Sequence, residues 1–84
     1  MNKLQLDYLK AKVAYDTAFE TEDWELVDQL EDPYLDAEFA LADWVFQVAE
    51  RTGLISKEDL EYIRKNANGE QWDKLIEMGV RLEA

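Results

Sequence analysis

Apolar residues recur at three- and four-residue spacing along almost the whole chain, and no stretch alternates with the period of two that a strand needs. That spacing buries one face of a helix, so the pattern predicts an all-α fold, a small bundle of four to five helices with very short connections. The first helix is expected over Lys3–Glu20, with Asn2 as its N-cap. Leu4, Tyr8, Ala11, Tyr15, Ala18 and Phe19 share one side of it, while Leu6, Leu9 and Val13 form a second, shorter stripe. Two stripes imply two neighbours: both within the bundle, or one of them a second subunit or a target protein. A second helix is expected from Glu22 to about Leu30, capped by Thr21, with Glu22 and Asp23 near the positive end of the dipole. Its thin apolar side carries Trp24, Val27 and Leu30.

Pro33 fits the first turn of a third helix capped by Asp32, because the N–H that proline lacks is unbonded there anyway. The residue before a proline is also pushed out of the helical region, which favours two helices over one kinked helix through Pro33. The third helix, Pro33 to about Thr52, is expected to be central and mostly buried. Tyr34, Leu35, Ala37, Phe39, Leu41, Ala42, Trp44, Val45, Phe46, Val48 and Ala49 cover well over half its circumference. Gly53 supplies its stop. A fourth helix starts at the Ser56 cap, with Asp59 three residues on and Ile55 and Leu60 at the staple positions, and ends near Asn66. Asn68 is expected to cap a fifth helix, whose apolar face is Trp72, Leu75, Ile76, Val80 and Leu82. Gly79 allows a neighbour close approach there, and Glu83 and Ala84 are expected to fray. No internal repeat or linker is apparent, so residues 1–84 read as a single acidic helical domain.

Composition narrows the chemistry. The chain has 84 residues and neither Cys nor His, which excludes a disulfide framework, a thiolate zinc site, a cysteine nucleophile and a histidine base. The sole serine, Ser56, is accounted for by its cap role, and no phosphate-binding glycine loop, nucleophile elbow or EF-hand loop is present. An enzyme is therefore not expected, and no cofactor or metal is implied. No apolar run reaches the ~20 residues of a membrane span and no signal-peptide core opens the chain, so the expected location is cytoplasmic.

The charge distribution is the most informative feature. Twenty acids against nine bases leave a net charge of −11, which argues against direct binding to nucleic acid. Residues 1–20 are neutral and residues 53–84 carry −2, whereas residues 21–52 hold ten acids and one base, a net −9. Like charges three or four apart on a helix destabilise it, so a sequence selected only for folding would scatter lysines through this stretch. One reading is a solvated face kept soluble by repulsion. The other is a docking face for a basic protein surface, using Glu22, Asp23, Glu25, Asp28, Glu31, Asp32, Asp36 and Asp43. Trp24 and Tyr34, embedded among these acids, are the candidate anchors, although Trp24 also has core spacing with Val27 and Leu30.

In size and charge the chain resembles the small acidic proteins of phages and mobile elements that block restriction or CRISPR nucleases by imitating nucleic acid. The resemblance implies a non-enzymatic inhibitor whose partner is a basic nucleic-acid-binding protein, such as a nuclease or DNA-binding regulator. The competing expectation is a structural or regulatory subunit that forms a homodimer, or packs on a partner helix, through Leu6, Leu9 and Val13.

Overall fold

In the computed structural model, which describes residues 1–67 and 69–83, four helices follow one another: α1 (Lys3–Glu20), α2 (Trp24–Thr52), α3 (Lys57–Lys65) and α4 (Glu70–Arg81). No strand occurs among the described residues. The chain divides into two units, 1–41 and 42–84, and α2 supplies residues to both.

In the first unit, α1 starts at a reciprocal cap. The Gln5 N–H donates to Asn2 Oδ1 at 2.9 Å and the Asn2 N–H donates to Gln5 Oε1 at 2.8 Å. Two of the four N–H groups that a helix leaves unbonded at its start are thereby satisfied, and Gln5 can be buried at no cost in unpaired polar atoms. Tyr8 and Ala18 are buried on the same helix. The Tyr34 ring of α2 meets Tyr8 edge-on at 6.0 Å and Tyr15 edge-on at 4.9 Å, so this half of α2 packs on α1 through tyrosines.

Helix α1 ends at Glu20 as expected, but the roles of the residues that follow differ from the expectation. Thr21 closes α1 instead of opening the next helix: its hydroxyl donates to the Thr17 carbonyl at 2.9 Å and its N–H to the same oxygen at 3.0 Å. Glu22 then takes φ +57°, the left-handed conformation, while its N–H donates to the Phe19 carbonyl. The Asp23 N–H reaches back to the Ala18 carbonyl at 3.0 Å. This is the double bond pattern of a Schellman stop, with glutamate where glycine is usual. Glu22 is thus outside any helix, and Asp23 starts α2: its carboxylate accepts from the Leu26 N–H at 3.3 Å and its carbonyl from the Val27 N–H at 2.9 Å.

The expected break at Pro33 is also corrected. Helix α2 is continuous over Trp24–Thr52 with Pro33 inside it, so Asp32 lies within the helix and caps nothing. Proline removes one bond to the carbonyl four residues back, here Gln29. Both Gln29 and Pro33 lie on the exposed side, where water can take the freed carbonyl. Val27 is buried, and Leu30 and Tyr34 are half-buried, so packing holds the helix on both sides of the proline.

In the second unit, Ala42, Val45, Phe46, Val48 and Ala49 of α2 are buried, with Leu60 and Ile63 of α3 and Trp72, Leu75 and Ile76 of α4. Phe46 and Trp72 rings lie 6.3 Å apart, and α3 packs on α4. Gly53 ends α2 at φ +69° as expected. Ser56 accepts from the Asp59 N–H at 3.2 Å, and Asn66 closes α3 through its side-chain amide to the Tyr62 carbonyl at 2.8 Å. Helix α4 begins one residue later than expected, with Gly69 at the cap position and no side-chain cap bond. Asn68 and Ala84 lie outside the described residues. Within the α2 stretch expected to be mostly buried, Phe39 departs from that reading, at 46% exposure.

Candidate functional site

The continuity of α2 determines what its acids do. Glu25, Asp28, Asp32 and Asp36 succeed one another at steps of three, four and four residues, which is the repeat of one helix face. All four are exposed. At ~1.5 Å per residue they form a line of about 16 Å with a carboxylate every ~5.5 Å. One nucleic-acid strand carries a charge per ~3.4 Å of axis, within a factor of two of that density. The next step along the same face reaches the exposed ring of Phe39.

The protein's own cations do not cover this line. Among the described residues, ion pairs join Lys12 to Asp16 at 2.8 Å, Lys74 to Glu70 at 3.3 Å and Arg81 to Glu77 at 3.1 Å, each within one helix turn. None of Glu25, Asp28, Asp32 or Asp36 takes part in one. The first unit, residues 1–41, holds eleven acids and only Lys3, Lys10 and Lys12 as bases, a net −8.

The remaining candidates fall elsewhere. Glu22 and Asp23 sit at the α1–α2 junction, where Asp23 is engaged as a cap. Trp24 is not core: it is 54% exposed and stands edge-on against Phe19, itself exposed, with ring centroids 5.1 Å apart. Tyr34 is half-buried between Tyr8 and Tyr15. Glu31 is exposed but on the flank of α2, where it lines a cavity of about 170 Å³ with Tyr15, Asp16, Tyr34, Leu35 and Glu38. Asp43 is exposed and belongs to the second unit.

Tyr8 packs against Tyr34, one of the residues lining that cavity. Burial pushes the Tyr8 phenol well above its ordinary value of 10.0, and its hydrogen bond with Tyr34 and the nearby charges of Glu38 and Asp16 push it further the same way. The hydrogen bond to Asp16 raises the Lys12 ammonium in turn. Sequence reasoning missed Phe19 and Phe39, because their helical spacing assigned them to the core. The in-line acids were legible as residues but not as a row, since a break at Pro33 would have separated Asp36 from Glu25 and Asp28.

On α1, Leu6 is 43% and Val13 64% exposed, with Leu9 half-buried beside them. Among the described residues, no group of three or more carboxylates is arranged to hold a metal ion, and no helix is long and apolar enough to cross a membrane. No protein-family model matches the chain, and no curated protein or solved structure does either.

Proposed function

We propose that this protein acts without catalysis, by laying the acidic face of α2 on a basic, nucleic-acid-binding surface of another protein and so keeping nucleic acid off it. A phage or mobile-element inhibitor of a nuclease, of the anti-restriction or anti-CRISPR kind, would work in this way. The observation that carries the reading is the exposed row Glu25, Asp28, Asp32 and Asp36, which makes no ion pair with the protein's bases among the described residues. Repulsion along such a row costs a few tenths of a kcal/mol per neighbouring pair, an expense that folding alone does not require. Glu22 adds to the argument, because it holds a left-handed position that favours glycine. The exposed Trp24 and Phe19 pair supplies aromatic anchor surface beside the charge.

The test is charge reversal. A photo-crosslinker at exposed Gln29, next to the row, captures the partner, whose binding is then measured with purified components. Glu25→Lys with Asp28→Lys should remove binding, and raising salt should weaken the unmodified pair about tenfold or more.

A second reading rests on a different observation, the exposure of Leu6 and Val13 on α1, which suits self-association or packing on a partner helix. Under it, Leu6→Ser with Val13→Ser removes association while the charge reversals leave it intact.

A further inference from the structure

The cavity of about 170 Å³ between α1 and α2 is lined by Tyr15, Tyr34 and Leu35 together with Asp16, Glu31 and Glu38. We propose that it is a socket for a single arginine side chain of the basic partner. This inference rests on the reading above and specifies how the partner is gripped.

The chemistry argues for a guanidinium. Three carboxylates line the cavity, and Lys12 is paired with one of them, Asp16, while Glu31 stands exposed at its edge. Aromatic rings beside carboxylates suit a flat, weakly hydrated cation that stacks on a ring and bonds a carboxylate with two parallel N–H groups. A lysine ammonium is compact and strongly hydrated and uses neither feature well. In the second unit the chain itself sets an arginine on an aromatic ring beside carboxylates: the Arg64 guanidinium lies 4.6 Å over the Phe46 ring, and both line a cavity with Glu50, Glu61 and Lys57. The α1–α2 cavity repeats the aromatic and carboxylate parts and has no arginine of the chain among its lining residues. It also lies beside the acidic row: Glu31 is three residues from Asp28 and adjoins Asp32 on α2, so an approaching basic surface meets both. The Tyr15 ring continues the lining outward to Phe19, 6.1 Å away, and from there to Trp24.

The experiment titrates the intact protein with three blocked Gly/Ser hexapeptides that differ at one central residue: arginine, lysine or citrulline. Tyrosine ring and backbone NMR resonances report binding. The arginine peptide should shift Tyr15 and Tyr34 saturably, the lysine peptide should bind at least fivefold more weakly, and the citrulline peptide should not bind. Glu31→Gln, an exposed change that leaves the fold alone, should weaken arginine binding at least fivefold, and Tyr34→Leu should do so where it folds. Asp7→Asn, which removes the same charge from an exposed position on α1 outside both the cavity and the acidic row, should change it less than twofold. Equal binding of arginine and lysine peptides, or equal losses from Glu31→Gln and Asp7→Asn, would overturn the socket, because charge alone would then explain the contact. If the socket fails while Glu25→Lys with Asp28→Lys still removes partner binding, the wider reading survives. If arginine enters the socket but nucleic acid is not displaced from the partner, the wider reading fails instead.

Discussion

Among the described residues, two hold the left-handed backbone, and they are chemically opposite. Gly53 meets φ +69° with no Cβ, whereas Glu22 meets φ +57° with a full side chain. Glu22→Gly should therefore stabilise the protein by about 0.5–1 kcal/mol, and Gly53→Ala should destabilise it by about 1 kcal/mol, both measurable by urea denaturation. A loss of stability in Glu22→Gly would show that the glutamate side chain contributes more than the turn costs. Tyr8 gives a pH signature. Its phenol is held above the ordinary value, so the folded state keeps a proton that the unfolded chain releases near pH 10. Stability from this group is complete below about pH 10 and declines as pH rises beyond it. A melting-temperature series from pH 8 to 11.5 should show that fall, and Tyr8→Phe should flatten part of it. The Lys12–Asp16 pair contributes in the same direction.

At the level of the element, α2 carries two local penalties, a proline and a row of like charges. Pro33→Ala restores a backbone bond and should raise stability by ~1–3 kcal/mol, or several degrees in melting temperature. Asp32→Asn relieves repulsion from both Asp28 and Asp36, each four residues away, and should add about 0.5 kcal/mol that high salt cancels. The caps at Asn2, Gly53 and Ser56, and the bounds of α1 and α3, were legible from sequence because each rests on local chemistry within four residues. The α1–α2 junction was not. Thr21 and Glu22 form a stop without the glycine that signals one, and Thr21 is equally good at opening a helix. Pro33 misled for a related reason: proline propensity is local, whereas the packing of Val27, Leu30 and Tyr34 that keeps the helix intact is tertiary.

On the scale of the whole molecule, the charge excess is concentrated in residues 1–41, and four of its exposed acids, Glu25, Asp28, Asp32 and Asp36, lie along one face of α2. The acids themselves were evident from composition; their alignment depends on an unbroken α2, and the exposure of Phe19, Trp24 and Phe39 depends on tertiary packing that spacing does not show. Helical spacing alone makes an exposed aromatic look like a core residue. The measurement that bears most directly on the proposed role is competition for the purified partner between this protein and a fluorescent oligonucleotide, followed by anisotropy at increasing salt. The protein should displace the oligonucleotide stoichiometrically at low salt, lose that ability as salt rises, and lose it entirely as Glu25→Lys with Asp28→Lys. Simultaneous binding of oligonucleotide and protein, or displacement unchanged by those reversals, would contradict the account.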